Sequence, residues 1–165
     1  RCLGFESNVY VYDPFVNKKT IEEKNCKKID FSKGIEIADF ITIHMPLNKE
    51  TANLIANDEL KMMKKNCILI NTARGGIINE EDLLSALTNK EILAAGLDVF
   101  TDEPPSKSNP LLKLDNILLS PHNAALTLEC RRRMAIETAE NIAFYLEDQK
   151  KLNRNNIVNR KILGL

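Results

Sequence analysis

The chain has 165 residues, 44% hydrophobic and 28% charged, enough apolar material for one sizeable core and too much for a disordered segment. Lysine plus arginine equals aspartate plus glutamate at 23 each, so no net field draws the protein to nucleic acid or to an acidic membrane, and a small-molecule partner is expected. No run of about 18 apolar residues exists to span a bilayer, no secretory signal opens the chain, and Cys2, Cys26, Cys67 and Cys130 lack CxxC spacing; neither a metal nor a disulfide framework is expected, and a reducing, cytoplasmic setting fits.

In chain order, Arg1-Cys2-Leu3-Gly4-Phe5 reads as the last turn of a helix closed by a glycine at C′, which implies further chain upstream. Five apolar runs follow: Val9–Tyr12, Phe40–Ile43, Cys67–Ile70, Ile92–Leu97 and Ile117–Leu119. Each has the length of a strand buried on both faces of a parallel sheet. Between them, Asn57-Asp58-Glu59 starts one helix. Asn79-Glu80-Glu81-Asp82 starts another with an N-cap and an acidic first turn, and Leu83, Leu84 and Leu87 give it an apolar stripe. From about Thr127 to Glu147, Met134, Ala135, Ala139, Ile142, Ala143 and Leu146 recur at helical spacing and predict one long amphipathic helix. Asp148 to Arg160, rich in Lys and Asn, predicts a surface tail.

Strands alternating with helices imply right-handed crossovers and a doubly wound α/β sheet. Ligands of such sheets bind beyond the carboxyl ends of the strands. The residues there are Asp13, His44, Asn71 to Arg74, Asp98, and Ser120 to His122. Arg74, Glu103 and His122 put a cation, a carboxylate and an imidazole past successive strands, a set suited to a small keto or hydroxy acid.

Several segments also carry a family likeness: Val11-Tyr12-Asp13-Pro14, His44-Met45-Pro46-Leu47, Ile70-Asn71-Thr72-Ala73-Arg74-Gly75-Gly76, Gly96-Leu97-Asp98-Val99-Phe100 with Glu103-Pro104, and Ser120-Pro121-His122. In this order and spacing, from about residue 8 to residue 145, the chain resembles the D-isomer-specific 2-hydroxyacid dehydrogenases, their phosphoglycerate dehydrogenase branch above all. The resemblance implies a Rossmann-like NAD-binding domain and NAD-dependent interconversion of a D-2-hydroxy acid and its 2-keto acid. His122 would be the acid that protonates the alkoxide left by hydride transfer, Glu103 would hydrogen-bond its ring and favour the protonated form, and Arg74 would clamp the substrate carboxylate bidentately. On the cofactor side the resemblance gives Asp13 to the adenosine ribose, where it would also disfavour a 2′-phosphate. Met45 and Pro46 fall to the adenine side with Thr51 nearby, Thr72, Ala73 and Arg74 to the nicotinamide ribose, and Asp98, His122, Ala124 and Ala125 to the nicotinamide. A homodimer is implied as well.

Two parts of that family pattern, the GxGxxG loop and the strand before it, have no counterpart here. In the order 3-2-1-4-5-6 the central strand is then lacking, which should split the sheet and leave unpaired edges. The expected layout is thus an incomplete NAD-binding domain over 1–126 and a crossover helix with tail over 127–165, directed toward a substrate domain outside the chain. Such a fragment is expected to bind NAD weakly or not at all.

Plainer readings stand beside these. Taken singly, His122 is a surface or core histidine, Arg74 a loop cation before a Gly-Gly turn, Glu103 a solvated acid before two prolines, and Asp13-Pro14 a turn initiator. Asp98 could end a strand and Thr72 bond local backbone. His44 reads as structural, and Arg131-Arg132-Arg133 as a solvated helix face rather than a phosphate contact. Two further functions remain open, a non-catalytic NAD-sensing module like the corepressors that resemble this family, and an inactive remnant.

Overall fold

The computed structural model describes residues 1–147, 151 and 153–162. These fall into two compact units, Arg1–His122 and the segment from Asn123 onward.

The first unit holds six short parallel strands: β1 (Tyr10–Val11), β2 (Lys27–Lys28), β3 (Phe40–Ile43), β4 (Ile68–Asn71), β5 (Ala94–Leu97) and β6 (Ile117–Leu119). Four of its helices are α1 (Lys18–Glu22), α2 (Phe31–Ile37), α3 (Asn57–Met62) and α4 (Glu80–Thr88). Two sheets result, β1-β2 and β3-β4-β5-β6. Among the described residues no strand joins β1 to β3, so the doubly wound order is interrupted where strand 1 was expected to be lacking.

The four-stranded sheet departs from the expectation of burial on both faces. Ile43, Leu69, Asn71, Ala95 and Leu97 are buried on one face, with Ile41, Ile117 and Leu119 packed beside them. No residue of the other face is buried, and on the outer strands Phe40 is 69% and Leu118 79% exposed. Side chains alternate across a strand, so an apolar run covered by helices on only one side buries only every second residue.

The covered face packs with Leu60, Ile77, Leu83, Leu87, Ile92 and Leu111, each 0–1% exposed. Each such side chain contributes roughly 1.5–3 kcal/mol relative to exposure. At α4 the carboxamide of Asn79 accepts from the N–H groups of Glu81 and Asp82, both at 3.1 Å, as its sequence predicts. At α3 the cap lies one residue earlier than the Asn-Asp-Glu signal suggests: Glu59 Oε2 accepts from Ala56 N at 3.1 Å, while Asn57 N donates to Asp82 Oδ2 at 3.0 Å and ties α3 to α4.

The expected glycine-closed helix end at Arg1–Phe5 is instead a 3₁₀ turn over Cys2–Phe5, and its left-handed closing residue is Glu6, φ 57°. The tighter i→i+3 bonds, Gly4 N to Arg1 O and Glu6 N to Leu3 O, carry the turn past Gly4. Strand β2 and helices α1 and α2 have no counterpart among the predicted elements. Lys27 and Lys28 carry no apolar signal; they pair with Tyr10 and Val11, and the Lys27 ammonium sits 5.7 Å from the Tyr10 ring centre.

In the second unit, helix α5 runs over Leu128–Glu147, with Thr127 Oγ1 accepting from Cys130 N at 3.1 Å. None of its residues is buried: Met134, Ile142 and Leu146 are more than half exposed. Of the expected tail, 148–150 and 152 lie outside the described residues. Arg154–Asn156 forms a 3₁₀ turn, and Asn156 Nδ2 donates to Asn141 Oδ1 on α5 at 3.2 Å.

Candidate active site

Because β3 to β6 are parallel, the residues that follow them leave the sheet along one edge, and His44, Thr72 to Arg74, Asp98 and Ser120 to His122 all lie there. The turn after β6 is hung from the end of β5. Ser120 N donates to Leu97 O at 3.0 Å, His122 N to Asp98 O at 2.9 Å, and Ser120 Oγ to Asp98 Oδ1 at 2.5 Å. His122 has a left-handed backbone, φ 52°, a conformation a non-glycine residue seldom takes outside functional or tightly bonded turns.

From that turn His122 Nδ1 meets Glu103 Oε2 at 2.7 Å. The other carboxylate oxygen, Oε1, accepts from Phe100 N at 3.0 Å. The bond from His122 holds the Glu103 carboxyl below its ordinary value, and the Phe100 N–H adds to the effect; desolvation and the Asp98 carboxylate oppose both. Glu103 is therefore ionised near neutral pH, Nδ1 carries the shared proton, and Nε2 is the nitrogen left to exchange a proton with a ligand. Asp98, Phe100, Glu103, Pro104, Leu112, Leu119 and His122 are among the residues lining an open groove of about 550 Å³.

Arg74 lies on a separate loop. Asn71, 2% exposed, clamps that loop from within: its Nδ2 donates to Arg74 O at 2.8 Å and its Oδ1 accepts from Ala73 N at 3.0 Å. The Arg74 guanidinium donates to Ala73 O at 2.6 Å, and Arg74 does not line the His122 groove. What links the two loops is Gly75. A Cβ there would fall 1.9 Å from Phe100 O and 2.5 Å from Thr101 N, so only glycine lets the Arg74 loop cross the start of the Glu103 loop. Asn71 and Ser120 as clamps escape the sequence reading; the Gly75-Gly76 pair was the visible signal of the crossing.

Of the residues assigned to a cofactor, Asp13 lies two residues past β1 of the other sheet and makes an Asx turn, its Oδ1 accepting from Phe15 N at 2.8 Å and Val16 N at 3.1 Å. That leaves Oδ2 for a diol. Thr51 staples the loop after β3, donating to Pro46 O at 2.7 Å and accepting from Asn48 N at 2.8 Å, while Met45 packs against the core. Thr72 is exposed, Ala73 packs on the core, and Asp98 is 4% exposed. Ala124 and Ala125 are exposed in the second unit. His44 Nε2 bonds Thr42 Oγ1 at 2.9 Å, within its own strand end. The carboxylate just past β1 and the small or hydroxylated residues beyond the other strands suit a dinucleotide's donor and acceptor groups.

The family model for the D-isomer specific 2-hydroxyacid dehydrogenase, NAD binding domain, matches residues 1–124. A D-3-phosphoglycerate dehydrogenase of Archaeoglobus fulgidus is 44% identical over 142 residues, 86% of this chain and 27% of the relative. A glyoxylate reductase of Korarchaeum cryptofilum is 36% identical over 163 residues, 99% of this chain and 48% of the relative. Among solved structures, the D-lactate dehydrogenase of Aquifex aeolicus, complexed with NAD and lactic acid, superposes with a TM-score of 0.81 at 30% identity, covering 94% of this chain and 51% of that one. The chain thus spans between about a quarter and a half of the length of these relatives.

Proposed function

Because this chain belongs to the D-isomer specific 2-hydroxyacid dehydrogenases, through their NAD-binding domain, we propose that it serves the NAD-dependent interconversion of a D-2-hydroxy acid and its 2-keto acid, phosphoglycerate dehydrogenase-like in class. The observation that carries this reading is the 2.7 Å contact between His122 Nδ1 and Glu103 Oε2, set at the edge where β4 delivers Arg74. NAD, when bound, supplies or takes up the hydride.

The chain's own residues do the rest. The Arg74 fork binds the substrate carboxylate and polarises the neighbouring carbonyl. His122 Nε2 gives a proton to the developing alkoxide in keto-acid reduction and takes it back in hydroxy-acid oxidation. Glu103 fixes the tautomer by holding Nδ1–H and stabilises the imidazolium in the direction that forms it. Asp13, Met45, Pro46 and Thr51 would hold the adenosine half. Thr72, Ala73, Arg74, Asp98, His122, Ala124 and Ala125 would hold the nicotinamide half. The acidic Asp13 favours NAD over a 2′-phosphorylated cofactor. The full-length protein would self-associate as a homodimer, as the family likeness implies, which light scattering on the eluted protein measures.

The test is NADH oxidation with glyoxylate and hydroxypyruvate, and NAD reduction with 3-phosphoglycerate, in the full-length protein. His122→Gln should lower kcat by about 100-fold or more while NADH affinity changes little. Turnover unaffected by His122→Gln removes it from the acid's role. NADH-dependent capture of a partner protein without any turnover would favour the sensing module instead.

A further inference from the structure

Between the Arg74 loop and the Glu103 loop, the first residue of α4 makes a contact that the proposed chemistry does not use. Glu80 Oε1 accepts from Thr101 N at 2.6 Å, and Asn109 Nδ2 lies 3.5 Å from Glu80 Oε2. Thr101 is the residue whose nitrogen would meet a Cβ on Gly75, and it directly follows Phe100, whose N–H binds Glu103. Glu80 is partly buried, whereas residues 101–104 are all exposed, and apart from the crossing at Gly75 no apolar burial holds them in place. An exposed four-residue stretch with such weak packing keeps one conformation only if its backbone is tied. The tie here runs from a helix whose Leu83 and Leu87 are 0–1% exposed, so the anchor point itself is rigid.

We propose that Glu80 is a positioning residue for the His122–Glu103 pair, holding the Phe100–Glu103 turn at the reach that lets Glu103 meet the imidazole. The inference rests on the reading of that pair as the proton-transfer unit, but its consequence is local geometry and needs no substrate. Glu80 touches neither Glu103 nor His122; its effect passes through the Thr101 amide. An acid in the first turn of α4 would also favour the helix dipole, and any of Glu80, Glu81 and Asp82 can serve that purpose. Of these three acids, Glu80 is the one that bonds the loop.

The experiment is carbon-13 NMR titration of the Glu103 side-chain carboxyl in the 165-residue chain, assigned by its loss in Glu103→Gln, for wild type, Glu80→Ala and Glu80→Gln. In wild type Glu103 should titrate below its ordinary value, held there by the His122 bond. Glu80→Ala should move it up toward that value, with loss of the imidazole contact in nuclear Overhauser spectra. Glu80→Gln, whose side-chain oxygen can still accept from Thr101 N–H, should stay near wild type. A depressed Glu103 titration that persists in natively folded Glu80→Ala overturns the proposal. Should Glu80→Ala not fold, hydrogen exchange of the Thr101 amide in wild type decides: slowed exchange supports the anchor, and the free-peptide rate overturns it. Absence of turnover in the full-length enzyme would defeat the reading of function while leaving these titrations as they are.

Discussion

Replacing Gly75 by alanine tests whether the crossing of two loops holds the site together. The added Cβ would sit 1.9 Å from Phe100 O, 2.0 Å from Phe100 C and 2.5 Å from Thr101 N, where ordinary contact begins near 3.4 Å. All three are backbone atoms, so no side-chain rotation relieves the overlap, and the crossing must open by about 1.5 Å. Overpacking of this kind costs roughly 1–3 kcal/mol. Opening also strains the Asn71–Arg74 and Glu80–Thr101 bonds, at about 1 kcal/mol for each one lost. A total near 3 kcal/mol, with a urea m-value of about 2 kcal/mol/M, lowers the unfolding midpoint by about 1.5 M. Gly34→Ala is the control: its Cβ meets only Ile29 Cγ2 at 3.4 Å inside α2, and the better helix propensity should raise stability by up to about 1 kcal/mol. A Gly75→Ala midpoint within about 0.3 M of wild type refutes the reasoning, since it would mean that the loops separate without loss.

Arg74→Lys in the full-length enzyme should reduce kcat/KM for keto acids by roughly 10-fold or more, because an ammonium cannot copy the planar two-point fork; an unchanged kcat/KM contradicts the clamp. Cys67 is fully buried, and burial, with the Asp39 carboxylate adding and Lys64 opposing, pushes its thiol from 9.0 up to about 11. A raised folded value means the native state prefers the neutral thiol. The stability this contributes is complete below pH 9 and is lost as pH rises through 11. Comparing urea midpoints of wild type and Cys67→Ala from pH 8 to 11 should therefore show wild type falling faster; parallel curves would contradict the assignment.

The four-stranded sheet was legible because Phe40–Ile43, Cys67–Ile70, Ile92–Leu97 and Ile117–Leu119 are apolar runs of strand length, and the observed strands fall within one residue of them at their carboxyl ends. The Asn79 cap was legible for a local reason, since a carboxamide before three acids satisfies open N–H groups whatever the tertiary context. Strand β2 was not. Its two lysines form a strand only because β1 offers an edge, and pairing partners leave no trace in a short polar segment. One-sided burial of the sheet was equally hidden, because Ile68 and Ile70 are as apolar as Leu69, and which face a helix covers is decided by packing. In the site, the meeting of His122 with Glu103 matches what the family likeness implies. The supports from Asn71, Ser120 and Glu80 come from polar residues near strand or helix ends, where a polar side chain more often faces water.

The sheet register limits how such a domain can change length over time. Ile43, Asn71, Leu97 and Leu119 occupy a single row across β3 to β6, so the next residue of every strand leaves at the same height. One residue inserted within a strand would advance its polar end by about 3.3 Å and turn the following side chains to the opposite face. One inserted in the turn after α4 would only lengthen a crossover, whereas one inside α4 would rotate the buried Leu83 and Leu87 off the core. Insertions and deletions are therefore expected to be tolerated in the exposed turns of the crossovers and rejected inside the strands, the buried helices and the Arg74 and Glu103 loops, so that Arg74, Glu103 and His122 stay in phase while the remaining connections drift.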